Sequence, residues 1–186
     1  MNDIFTGKLV RLSAVTSSEI AKAYAEWNRD SEFKRFLDSD PARLYSSRGI
    51  QAWLDRKLEA EDGNFYYFNI CTLTESRLLG DVNLDLVNRY SREGFVGILI
   101  GDRNAWDKGY GTDAMRVLLR YAFTELNLHR VSLTANGYNP RALRAYKKAG
   151  FKPEGRLRES LSREGKRWDD IYMGVLRDEW MAGWKK

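Results

Sequence analysis

Hydrophobic positions along this chain change rhythm twice, and each change marks a different kind of element. Gly7 to Leu12 reads as a first short strand. Thr16 then stands as an N-cap with Glu19 three residues on, the spacing of a capping box. Val15 and Ile20 are placed as a hydrophobic staple. Ile20, Tyr24 and Trp27 form the apolar face of the helix that follows. A break at Asn28-Arg29-Asp30 precedes its continuation over Ser31 to Leu37, and Pro41 ends the region. A second helix is predicted over Ile50 to Leu58, with Ile50, Trp53, Leu54 and Leu58 on one side and Gly63-Asn64 as its stop.

The period then falls to two. Phe65 to Leu73 is aromatic and β-branched enough for a strand, and Thr74 to Arg77 is a turn. Val82, Leu84 and Leu86 alternate with Asp81, Asn83 and Asp85, the pattern of a half-buried strand. So short a turn makes these two strands antiparallel. Phe95 to Ile100 is nearly all apolar, as expected of a strand covered on both faces.

Helical spacing returns after a loop holding Gly109 and Gly111, in Met115, Leu118, Leu119, Ala122 and Leu126. Val131, Leu133 and Ala135 form the next strand. Asn139-Pro140 supplies an N-cap and first helical residue, and Gly150 ends that helix. Two last strands flank a turn at Arg163 to Lys166. With no repeat or linker, residues 1–186 read as a single α+β domain with a mostly antiparallel sheet and one strand–helix–strand crossover.

Composition narrows the function classes only a little. The 186 residues are 43% hydrophobic and 31% charged, an ordinary globular balance. A net charge of +5 suits a polyanionic partner, either nucleic acid or a phosphate-bearing cofactor. The Lys and Arg residues form no block, which argues against a dedicated nucleic-acid surface. A single cysteine, Cys71, excludes an intramolecular disulfide and a cysteine zinc cluster, and it reads as a small core residue. The lone His129 has no histidine partner for a metal site, so no metal is expected. The N-terminus lacks a secretion pattern and no apolar run reaches membrane-spanning length, so a cytoplasmic location is expected.

The chemistry-bearing segment runs from Ile98 to Ala114, through a loop into a helix start. Helix N-termini carry unpaired N–H groups and about half a positive charge, so phosphate binds there. Gly109 and Gly111 permit close backbone approach, and Lys108 adds a charge beside them. One reading is a turn whose glycines merely satisfy geometry. Another is a dinucleotide fold, since Gly109, Gly111 and Ala114 formally fit its fingerprint. That fingerprint follows its strand directly and leads to an acidic strand end, whereas here a loop intervenes and the next strand ends in Ala135-Asn136. A nucleotide-triphosphate loop would need Gly-Lys-Ser/Thr, which is missing.

A third reading adds the segment Asn139-Pro140-Arg141-Ala142-Leu143-Arg144-Ala145-Tyr146-Lys147-Lys148-Ala149-Gly150-Phe151, one crossover later. Together the two segments resemble the GNAT superfamily of N-acetyltransferases, most closely its RimJ/RimL-type branch of ribosomal-protein alanine acetyltransferases. The match is strongest from Phe95 to Phe151. It extends more weakly over Gly155 to Glu159, Trp168 to Trp180 and the early Trp27-Asn28 helix.

The resemblance implies a central sheet of about seven strands with flanking helices, in which the strand before the glycine loop and the strand after its helix splay apart. It implies that acetyl-CoA is the cosubstrate, with its pyrophosphate on the backbone of Gly109, Tyr110, Gly111 and Thr112 beside Lys108 and Trp106. The pantetheine would pair with the backbone of Leu99, Ile100 and Gly101, and Asn139 would hydrogen-bond it. Tyr146 would stand near the sulfur as the acid for the leaving thiolate, a phenol of pKa about 10 being protonated at neutral pH. Asn139 as a helix cap and Tyr146 as a core aromatic are the plainer readings of the same residues.

The acceptor implied is an amine, on a protein N-terminus or a small molecule, and the chain a monomer or homodimer. Phe95 stands where many relatives carry a glutamate that receives the amine's proton. Asp81, Asp85 and Glu93 are then the candidate bases, alongside a water-mediated route. Trp27, Phe36, Asp38 and Asp40 are candidates for an acceptor pocket. The missing glutamate also keeps a non-catalytic acyl-CoA-binding or sensor domain in view.

Overall fold

The computed structural model describes residues 3–14, 16–37, 39–59 and 63–183. Seven strands form one sheet in the order β1-β2-β3-β4-β5-β7-β6. The first strand β1 (Val10–Ser13), β2 (Phe65–Thr72), β3 (Leu78–Asn88) and β4 (Glu93–Ile100) pair antiparallel in sequence order. The strand β5 (Arg130–Asn136) then lies parallel to β4, and β7 (Lys166–Leu176) separates it from the edge strand β6 (Lys152–Arg163). Helices α1 (Ser17–Trp27), α2 (Ser31–Leu37) and α3 (Ser47–Leu58) precede β2. The long α4 (Tyr110–Thr124) makes the crossover from β4 to β5, α5 (Pro140–Ala149) follows β5, and α6 (Arg177–Gly183) closes the described chain.

The two sheet faces carry different chemistry. Val82, Leu84 and Val96 pack with Val131, Leu133 and Met173 against α4, whose Met115, Leu118, Leu119, Ala122 and Phe123 are fully buried. Burying each such Val, Leu, Met or Phe side chain is worth about 1.5–3 kcal/mol. The N-terminal segment pins α4 in place. Buried Asp113 accepts hydrogen bonds from the N–H groups of Leu9 (2.7 Å) and Val10 (3.1 Å), while Arg120 donates to the carbonyls of Ile4 and Thr6. Cys71 is buried in β2, as expected.

Several local expectations shift. The first strand begins at Val10 rather than Gly7, because Gly7 donates to the Val10 carbonyl in a tight turn. Thr16 has the extended backbone of an N-cap, yet its hydroxyl makes no capping bond; Val15, its proposed staple partner, lies outside the described residues. The third helix starts at Ser47, not Ile50, because the Ser46 hydroxyl caps it through the Gly49 N–H. The strand β4 is not covered on both faces. Val96 is buried but Phe95, Gly97 and Ile98 are only half-buried, since part of this strand borders a cavity.

Candidate active site

Only three residue pairs join β4 to β5, Glu93 with Arg130, Gly94 with Val131 and Phe95 with Ser132. Beyond Ser132 the two strands separate, although both continue for several residues. Hydrogen-bonded pairs alternate along an antiparallel ladder, which tells where each main-chain group points. Gly101 donates to the Leu79 carbonyl (2.9 Å), so the amides of Leu99 and Gly101 turn toward β3. Those of Ile98 and Ile100 therefore face the opening. Across the gap, Arg177 donates to His129 and Gly137 to Asp169, so Thr134 and Asn136 present their main chain to the same slot. This corrects the expectation for Leu99 and Gly101. Of the three residues named, only Ile100 has its amide free to pair with a ligand strand, and Ile98 takes the second place. The signal was ladder parity, which cannot be read until the register is known.

A cavity of about 380 Å³ occupies this slot. It is lined from β4 by Ile98, Leu99 and Ile100, from β5 by Thr134 and Asn136, and from the α4 entrance by Trp106 and Gly109 to Thr112. Phe33, Phe36 and Leu37 of α2 close it on one face of the sheet, and Arg141, Arg144, Tyr146 and Lys148 of α5 on the other. Gly101 and Lys108 are not among the lining residues. Gly101 is buried beneath the Trp27 ring, where a Cβ would lie 2.0 Å from ring carbons, and Lys108 is exposed.

The start of α4 is bare. Gly109 holds the N-cap position at φ 88°, a left-handed conformation that favours glycine, and no side chain caps the helix. The first intrahelical bond runs from Asp113 to the Gly109 carbonyl, leaving the amides of Tyr110, Gly111 and Thr112 pointed at the cavity end. A Cβ at Gly111 would meet Ile100 at 3.5 Å, ordinary contact, so packing inside the chain does not demand glycine there. Arg141, Arg144 and Lys148 put positive charge on the same rim. Trp106 is fixed by donating to the Ile100 carbonyl (2.8 Å), and the Arg141 guanidinium lies 3.5 Å from its ring centroid.

The helix α5 is positioned by its own caps. Buried Asn139 accepts from the Ala142 N–H (3.1 Å) and donates to the Phe36 carbonyl (3.3 Å), tying α5 to α2 across the slot. Gly150, at φ 114°, and Phe151 both donate to the Tyr146 carbonyl, which locks the backbone of Tyr146 in the last turn. The Tyr146 ring packs against Phe151, and burial pushes its phenol up to about 12.

The carboxylates named from sequence do not reach the cavity. Asp81 is buried beneath α1, where it accepts hydrogen bonds from Tyr67 and Tyr24; desolvation raises it to about 7. Asp85 accepts from Asn83 (2.8 Å). Glu93 is paired with Arg130, which also binds Glu154. Of the acceptor-pocket candidates, Phe36 lines the cavity, Trp27 packs on Gly101 instead, Asp40 is exposed and Asp38 lies outside the described residues. Sequence reasoning missed Asp170 of β7, which lines the cavity half-buried and whose carboxyl is raised by desolvation. Among the described residues, no cluster of three His, Cys, Asp or Glu side chains is placed to hold a metal, and no helix is long and apolar enough to cross a membrane.

A sheet split open beside an uncapped helix start defines a protein with an elongated slot through its sheet and unpaired main-chain amides at one end. The chain belongs to the acetyltransferase (GNAT) family, whose domain matches residues 10–152. It is an N-acetyltransferase, and acetyl-CoA is its acetyl donor. It is 26% identical over 160 residues to the uncharacterized N-acetyltransferase YnaD of Bacillus subtilis, covering 86% of this chain and 89% of that one. It is 30% identical over 164 residues to the probable N-acetyltransferase YjcK of the same organism, with 87% and 88% covered. Its fold matches the spermidine N-acetyltransferase of Vibrio cholerae, solved with CoA and spermine, at TM-score 0.80, 23% identity and coverage of 92% and 98%.

Proposed function

We propose that this enzyme transfers the acetyl group directly to a primary amine, on a protein N-terminus or a small molecule, in a single ternary complex. The observation that carries the reading is the cavity that threads the sheet, with bare α4 amides at one end and the Tyr146 phenol lining it. The pyrophosphate would rest on the amides of Tyr110, Gly111 and Thr112, with Arg141, Arg144 and Lys148 neutralising phosphate charge. The pantetheine would pair as an added strand with Ile98 and Ile100 and, across the slot, Thr134. An inward N–H of Ile98 or Ile100 would stabilise the oxyanion as the amine attacks. Tyr146 would donate a hydrogen bond from its hydroxyl to the leaving thiolate. Asn139 would serve chiefly as the tie between α5 and α2 that keeps Tyr146 in place.

Within the family we assign the chain to the RimJ/RimL-type branch. The 32% identity over 108 residues to the putative ribosomal N-acetyltransferase YdaF of Bacillus subtilis, covering 58% of each chain, supports that placement. The spermidine enzyme of similar fold supports an amine acceptor. The test is calorimetry with acetyl-CoA, followed by a free-CoA release assay over a panel of polyamines, amino acids and peptides with free N-termini. Binding with turnover of at least one amine is expected. Binding with no turnover on any acceptor would leave a sensor domain as the better description.

A further inference from the structure

Attack on a thioester needs a neutral amine, and a Lys-like amine of pKa about 10.4 arrives charged at neutral pH. A proton acceptor must therefore meet it at the slot. The side chains lining the cavity include two carboxylates, Asp107 and Asp170. Asp107 is exposed at the rim and lies 3.8 Å from the Arg144 guanidinium, on the phosphate side. Asp170 is different in every respect.

It sits on β7 directly opposite Asn136 of β5, beyond the last pairing of β4 with β5 and beside the open part of the slot. Its other cross-strand neighbour, on β6, is Leu157, so neither flanking position carries charge. The Ile171 N–H supports the carboxylate, and among the described residues no lysine or arginine pairs with it. Strand parity sets its side. Ile171, Met173 and Val175 face the α4 core, so Asp170 projects to the opposite face, toward the cavity wall formed by Phe33, Phe36 and Leu37. Tyr146 comes from α5 on the core face. The carboxylate and the phenol thus flank the slot from opposite sides of the sheet.

We infer that Asp170 is the carboxylate that receives the acceptor's ammonium group and takes its proton. The inference rests on the amine-acetylation reading above. One proton passes from R–NH₃⁺ to Asp170, and the freed nitrogen lone pair forms the C–N bond on the face opposite Tyr146. The C–S bond then breaks with its electron pair on sulfur, under the Tyr146 hydroxyl. The extra proton on the new nitrogen neutralises the thiolate, giving amide and thiol, and Asp170 releases its proton to solvent. The cavity's apolar α2 wall, facing an Asp170 carboxylate that no lysine or arginine among the described residues pairs with, fits a cationic primary amine on an uncharged stem and disfavours an acceptor with a carboxylate beside the amine.

The experiment uses the full chain with acetyl-CoA and two acceptors, the best strongly basic amine from the panel and a weakly basic amine already neutral at the assay pH. Asp170→Asn is expected to bind acetyl-CoA within about 2-fold of wild type. It should lose about 100-fold or more in kcat/KM for the basic amine, in the range of general base removal, and recover as pH rises toward the amine's pKa. The weakly basic amine should suffer at least 10-fold less. Asp170→Glu should restore part of the loss, which a purely structural role would not. A variant that binds acetyl-CoA yet acetylates both amines like wild type at all pH values overturns the assignment and leaves the enzyme reading intact. Should neither variant fold, the wild-type kcat/KM profile decides. An acidic limb for the basic amine that falls well below that amine's own pKa, and that is at least 10-fold shallower for the weakly basic amine, supports the assignment, and its absence overturns it. A wild type that turns over no amine removes the underlying reading, and this inference with it.

Discussion

Tyr146→Phe removes one oxygen from a side chain whose backbone is held by the Gly150 cap and whose ring packs on Phe151, so the ring should stay in place. The size of the effect follows from proton affinities. The phenol is pushed up to about 12 by burial, whereas a thiol like that of the coenzyme has a pKa of roughly 8.5 by analogy with cysteine. Complete proton transfer from phenol to thiolate would be uphill by about 3.5 units, or roughly 5 kcal/mol. Tyr146 should therefore donate a hydrogen bond to the developing thiolate without surrendering its proton. A hydrogen bond to a charged group is worth about 1.5–3 kcal/mol, which corresponds to a loss of roughly 10- to 150-fold in kcat. The thioester sulfur of the ground state is a weak acceptor, so the acetyl-CoA Kd should change by less than about 3-fold. Steady-state CoA release with the best panel amine, alongside calorimetry, measures both. With its pKa raised, Tyr146 stays protonated up to strongly alkaline pH, so the wild-type to variant ratio should be flat from pH 6 to about 9. Equal turnover, or a ratio that titrates in that window, would refute the reasoning.

Gly111→Ala separates fold from function. The added methyl meets Ile100 at an ordinary 3.5 Å, and alanine is the better helix former by up to about 1 kcal/mol. The melting temperature should hold or rise while acetyl-CoA affinity falls, as scanning calorimetry and titration will show. Gly109→Ala should instead destabilise by about 1–2 kcal/mol, because φ 88° is strained for any residue with a Cβ. Asp81, raised from 3.8 to about 7 chiefly by desolvation, binds a proton more tightly when folded. Its contribution is fully present below about pH 4 and lost as pH rises toward 7, a change of up to about 4 kcal/mol. Chemical denaturation of Asp81→Asn should therefore show a smaller loss of stability than wild type between pH 4 and 7; parallel curves would contradict the buried-carboxylate account.

Much of this molecule was legible because it is written in local chemistry. Asn139-Pro140 and Gly150 delimit α5 through caps only a few residues long, and Gly109 marks the helix start because one backbone angle there excludes other residues. The period-two run likewise located β3, but not its burial: Leu79 to Val82 are buried in succession, because α1 covers the second face at Asp81. Short-range signals also misled: Thr16 has the sequence of a capping box without its hydrogen bond, and Ser46 caps α3 with no apolar periodicity to announce it.

What the tertiary structure alone decided concerns partners distant in the chain. Which amides of β4 face the slot depends on its register with β3, and the slot exists because β5 leaves β4 after three pairs. Glu93 looked available until Arg130 arrived from the neighbouring strand, and Asp81 until α1 covered it. Asp170 lies far along the chain from the glycine loop, and only the placement of β7 beside β5 brings its carboxylate to the cavity. Backbone angles and caps are properties of a few neighbouring residues, whereas access, ion pairing and proton affinity depend on which strands come to lie side by side.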